Sequence, residues 1–117
     1  MRKDQHICQA MGVTLLNYHN CRENYFARWC SHYAESRALP MRDLLRSEAL
    51  HAWFCDQWRR KVELPFYMDH HEYMEAGLQD FGNFQDLFLM YAEEIDPYFP
   101  KPILEAIANR YKLRSQL

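Results

Sequence analysis

Residues 14–33 read T-L-L-N-Y-H-N-C-R-E-N-Y-F-A-R-W-C-S-H-Y, and Tyr18, Cys21, Tyr25, Trp29 and Tyr33 recur in them at three- and four-residue steps. Only an α-helix turns that spacing into one apolar face. Thr14 precedes the stripe as an N-cap candidate, and Pro40 forbids its smooth continuation. Outward from this segment the same period returns. Ser47 offers a cap, and Leu50, Trp53, Phe54, Gln57, Trp58 and Val62 form a second stripe, which Pro65 ends or kinks. Asp69 and Glu72 form a D-x-x-E pattern resembling a capping box, so a shorter helix is expected from there to about Leu78.

Gly82-Asn83 breaks that helix, and Phe84, Leu87, Phe88, Tyr91 and Ile95 mark a further stripe. The segment Asp96-Pro97-Tyr98-Phe99-Pro100-Lys101-Pro102 reads as a stiff connector. Pro102 suits the first turn of a last helix built on Ile103, Leu104, Ile107, Ala108 and Tyr111. Upstream, Asp4 can cap a short helix over about residues 5–11, ended by Gly12. No segment alternates with period two. The expected fold is all-α, a compact bundle of five or six helices forming a single domain over residues 1–117. Its N-terminal part spans 1–39 and the helical remainder 40–117.

Composition bounds the function. Of 117 residues 49% are hydrophobic and 18 are aromatic, enough for a core and too many for a disordered chain. Apolar runs such as Leu87–Tyr91 are far below the roughly 20 residues that span a bilayer. No apolar segment follows Met1-Arg2-Lys3-Asp4, so a cytoplasmic protein is expected, with Cys8, Cys21, Cys30 and Cys55 reduced. The net charge of −2 is uneven: nine Lys/Arg against six Asp/Glu in residues 1–60, five against ten in 61–117. A basic front is compatible with a nucleic-acid face.

Catalytic and cofactor signatures are missing. With three glycines in total, a phosphate-cradling loop is excluded in practice, and no H-E-x-x-H or G-x-S-x-G occurs. His6-x-Cys8 and His19-x-Cys21 invite a zinc reading, but an i, i+2 pair on a helix points apart. His51 and Cys55 lie four apart on one helix face, a spacing that suits a metal or an activated thiolate, although a Cys beside tryptophans is more often a small buried hydrophobe. His70-His71-Glu72 is expected to be exposed. The sequence reading is a non-enzyme with no catalytic residues, no metal site and no cofactor.

Residues 5–21, Q-H-I-C-Q-A-M-G-V-T-L-L-N-Y-H-N-C, carry the functional clue. They resemble the helix-turn-helix of bacterial DNA-binding proteins: Ile7 apolar, Cys8 small, Met11 apolar, Gly12 at the turn, Val13 between the helices, Thr14 capping, Tyr18 facing the core. The resemblance implies a small DNA-binding protein, regulatory or associated with a phage or mobile element, acting as a homodimer on double-stranded DNA. Arg2, Lys3, Thr14, Asn17, Asn20 and Arg22 would then face DNA, and Arg42, Arg46, Arg59, Arg60 and Lys61 would contact phosphates. Leu15 and Leu16 occupy slots where base readout wants polar side chains. They support the alternative, a protein-interaction module (an inhibitor or adaptor) with Leu15, Leu16, Tyr98 and Phe99 as anchors.

Overall fold

The computed structural model describes residues 15–75 and 89–115. The expected helix over 5–11, the Gly12 turn, Thr14, the Gly82-Asn83 break, and Phe84, Leu87 and Phe88 lie outside the described residues. Among those described there is no strand. Helix α1 runs Leu15–Arg37, α2 Met41–Leu45, α3 Glu48–Trp58, α4 Leu64–Glu75 and α5 Lys101–Ser115. Residues 89–92 are helical and lead into a 3₁₀ turn, Glu93–Ile95. No described helix is long and apolar enough to cross a membrane.

The stripe of α1 does what its spacing demands: Tyr18, Cys21, Tyr25 and Trp29 are buried, together with Phe26, Cys30 and Ala34. The helix stops before Pro40 is reached. Ala38 adopts φ 54°, and the Leu39 N–H reaches back to the Ala34 carbonyl at 3.0 Å, a Schellman-type end built on alanine rather than glycine. Pro40 then serves as the N-cap position of α2. Ser47 caps α3 as its sequence position suggests, accepting the Leu50 N–H at 3.1 Å.

Pro65 does not end the second stripe, and the distortion expected there takes the form of a π turn. Arg59–Glu63 form a π turn joining α3 to α4, with the Leu64 N–H bonded to the carbonyl of Arg59, five residues back. The π turn widens the helix just ahead of Pro65, where a regular α-turn would press the ring on the carbonyl of Lys61. It also repairs a mismatch in the stripe. The buried residues Leu50, Phe54, Trp58, Val62 and Phe66 are spaced by four. At about 100° per residue, an unbroken α-helix would carry Phe66 roughly 160° away from Leu50. The extra residue per turn brings it back to the core.

This continuity corrects the expected helix start at Asp69 and Glu72. Both lie inside α4, already under way from Leu64. The Asp69 carboxylate is occupied instead by the Tyr91 hydroxyl, which donates to it at 2.6 Å, while the Tyr91 ring meets Phe66 edge-on. Helix α1 packs on α2 and α3, and α5 on α2 and α3. Arg114 of α5 donates to Asp43 of α2 at 2.6 Å.

One polar knot sits inside this apolar packing. The Tyr18 hydroxyl donates to the Glu63 carboxylate at 2.6 Å and accepts from the Trp58 indole N–H at 3.1 Å. Glu63 is itself buried, and the π turn is what brings it and Val62 to the interior together. Burial, reinforced by the Glu63 charge, pushes the Tyr18 phenol far above its ordinary range.

Candidate functional site, an aromatic groove with a basic rim

The connector between the 3₁₀ turn and α5 positions the site. Tyr25 anchors its beginning: the hydroxyl donates to the Asp96 carboxylate at 2.9 Å and approaches the Ala92 carbonyl at 3.2 Å. The Tyr98 N–H then closes a turn on the Ile95 carbonyl at 3.0 Å. Phe99 precedes Pro100, which disfavours a helical backbone there, so the chain extends before α5 begins. Pro102 occupies the first turn of α5, where no N–H is missed.

The consequence is that two rings in this connector remain half in solvent, Tyr98 and Phe99 at 50% exposure each. Phe99 is not loose. Its ring lies 5.5 Å from that of Tyr33 and 6.2 Å from that of Trp29, and Trp29 and Tyr33 stack on each other at 5.6 Å and 7°. Trp53 backs Trp29 at 5.4 Å. On the other ring, the Lys61 ammonium sits 4.7 Å from the centroid of Tyr98.

Between this aromatic wall and α5 runs a groove of about 640 Å³, within the usual size of a ligand pocket. Tyr33, Tyr98, Phe99 and Leu104 supply its apolar lining. Arg37, Lys101 and Lys112 stand on it with Glu105 as the single acid. Lys101, Leu104, Glu105, Ala108 and Lys112 repeat at helical spacing, so one face of α5 forms this side. The Arg37 guanidinium lies 5.7 Å from the Tyr33 centroid. A second hollow of about 370 Å³, lined by His32, Ser36 and Asp96, shares Trp29, Tyr33 and Phe99 with the region.

The residues proposed from sequence fall into distinct settings. Arg2, Lys3 and Thr14, with Ile7–Val13 of the motif, lie outside the described residues, as does the side chain of Leu15. Leu16 is 66% exposed at the start of α1, and Asn17, His19 and Asn20 beside it are also exposed. Arg22 is drawn inward: its Nε is buried without a hydrogen-bond partner, 3.8 Å from the Glu23 carboxylate. Arg59 and Arg60 both pair with Asp56 at 3.1 Å, and Lys61 covers Tyr98. Arg42 and Arg46 are exposed on and just after α2.

Tyr98 and Phe99 therefore come together with Tyr33, which the sequence placed only on the apolar stripe of α1, as a wall, and with Arg37, Lys101 and Lys112, which it did not single out, as a rim. The available signal was the i, i+4 step from Tyr33 to Arg37 and the one-face spacing along 101–112. Neither says which helix lies opposite. Cys21, Cys30 and Cys55 are free thiols. Burial pushes the Cys30 thiol up to about 12 and raises Cys21 and Cys55 as well. His51 and Cys55 do share a helix face. The chain matches no family model, no curated protein and no solved structure.

Proposed function

We propose that this protein is a protein-interaction module whose groove between Tyr33, Phe99 and α5 takes a short acidic peptide segment carrying an aromatic anchor. The observation that carries the reading is the pair of half-exposed rings, Tyr98 and Phe99, fixed by neighbours rather than left free. A ring already held in place loses little entropy on binding, which is what makes aromatics effective interface anchors. The partner's chemistry follows from the rim. Three cations against one carboxylate favour acidic side chains, while Leu104 and the aromatic wall favour an apolar ring between them.

The helix-turn-helix resemblance supplies the competing reading, and one experiment separates them. Fluorescence anisotropy is measured with a labelled peptide bearing one phenylalanine between pairs of glutamates, and separately with a mixed-sequence DNA duplex. The expected result is peptide binding that weakens with salt and falls at least about thirtyfold in Phe99→Ala, a hot-spot loss of about 2 kcal/mol. Binding of the duplex with no binding of the peptide would overturn the groove reading in favour of DNA.

A further inference from the structure

A separate cluster lies at the junction of α1 and α3, away from the groove. Glu23 of α1 and His51 and Cys55 of α3 bring a carboxylate oxygen, an imidazole nitrogen and a thiol sulfur within 4.8 Å of one another. The packing beneath explains the meeting. Phe26, three residues after Glu23, touches His51 edge-on at 5.0 Å and Phe54 at 5.1 Å, fixing the rotation of α1 against α3. The His51 Nε2–H donates to both oxygens of Glu23, at 2.7 and 2.9 Å, since a carboxylate can only accept. The Cys55 sulfur is 3.7 Å from Nε2 and 3.8 Å from Nδ1.

Equal distances to the two ring nitrogens place the sulfur along neither lone pair. That geometry is wrong for a thiol handing its proton to one nitrogen while the carboxylate holds the other, so a nucleophile relay is not what is built. The three donor atoms nevertheless lie within 4.8 Å of one another, close enough to share one ion once the Cys55 side chain turns toward the Nε2 lone pair. Zinc bonds of about 2.0–2.3 Å in a tetrahedron need donor separations of about 3.3–3.8 Å. The sulfur–nitrogen separation falls in this range, the nitrogen–oxygen pair has to open by roughly half an ångström as the ion replaces the shared proton, and the Cys55 side chain has to bring its sulfur round to that ion.

We infer that Glu23, His51 and Cys55 form a three-ligand site for a divalent zinc-type ion, with the fourth position open to solvent. The H-x₃-C step on α3 lies within the spacing by which a helix chelates one ion. Imidazole and thiolate select a borderline-soft metal over magnesium or calcium. The half-buried setting leaves access, since the side chains of His51 and Glu23 are 36% and 29% exposed. On binding, the thiol proton leaves to solvent, the imidazole proton moves to Nδ1, and the two anionic ligands balance the charge of the ion. Arg22 flanks the site, with its buried Nε 3.8 Å from Glu23 Oε1, the oxygen nearest His51 Nε2.

The full chain, freed of metal, is titrated with cobalt(II) and followed by absorbance, then with zinc in competition. One equivalent of cobalt should produce a thiolate-to-metal charge-transfer band with the intense visible bands of four-coordinate cobalt, and zinc should abolish both. Cys55→Ser should lose the charge-transfer band, while Cys21→Ser keeps it. Glu23→Gln and His51→Gln should each weaken binding at least about tenfold, with unchanged circular dichroism. If Cys55→Ser fails to fold, the partly exposed Glu23→Gln carries the test. No band in the parent protein, a band retained in folded Cys55→Ser, or undiminished affinity in Glu23→Gln would overturn the assignment.

Discussion

Helix α1 carries tyrosines of two kinds, and its two ends differ in how they are covered. Tyr18 and Tyr25, in its first half, are buried, and each phenol is tied by a hydrogen bond to a carboxylate, Glu63 or Asp96. Tyr33, in its last turns, continues the same stripe but is only partly buried, its ring serving as a wall against Phe99. The residue type and the spacing are alike; the covering differs. The first half meets the long helix formed by α3, the π turn and α4, whereas Tyr33 meets a proline-bounded connector too short to cover it. Along α1 the tyrosines are fully buried where a helix lies over them and only partly so where a connector does.

If that contrast is right, truncations should sort by region. Trp58→Ala should have the largest effect, destabilising the fold by about 3–5 kcal/mol because a fully buried ring and the Tyr18 hydrogen bond are lost together. Chemical denaturation followed by circular dichroism reads it. Tyr18→Phe should come next, at about 1–3 kcal/mol, since it removes only the hydroxyl that bridges Trp58 and Glu63. A Tyr18→Phe variant as stable as the parent would show that the buried knot is dispensable.

Alkali should act on the buried face of α1 as a whole. The Cys30 thiol is raised from 9.0 to about 12 by burial, so it favours the folded state fully at neutral pH. The unfolded chain releases this proton first, and stability should fall as pH rises from about 9 towards 12. Tyr18 and Tyr25, also raised by burial, push in the same direction at higher pH. Thermal melts across this range check it; a midpoint that rises would contradict the burial of these groups. The smallest stability effect should be that of Phe99→Ala, under about 1 kcal/mol for a half-exposed ring, despite its large expected effect on peptide binding.

Much of the helical fold was legible because periodicity is a local property. The stripes on α1, α3 and α5, the Ser47 cap and the Pro102 position all depend on residues within a few turns of each other. Asp69 and Glu72 misled because a D-x-x-E pattern looks the same inside a helix as at its start. Only the π turn at Arg59–Glu63, foreshadowed by the four-residue spacing of Leu50, Phe54, Trp58, Val62 and Phe66, lets the helix pass Pro65. The sites were less legible. Tyr98 and Phe99 stood out by their prolines and His51 with Cys55 by spacing, yet Glu23, Arg37, Lys101 and Lys112 join them only through helix packing, which no local pattern encodes.

The proposed binding surface is the aromatic end of α1 with its connector, not the start of the helix. Backbone amide chemical-shift mapping of the isotope-labelled protein, titrated with the glutamate-flanked phenylalanine peptide, tests it most directly. Shifts should concentrate at Tyr33, Arg37, Phe99, Glu105, Ala108 and Lys112, with Leu16–Asn20 unmoved. Shifts confined to Leu16–Asn20, or none at all at saturating peptide, would contradict it.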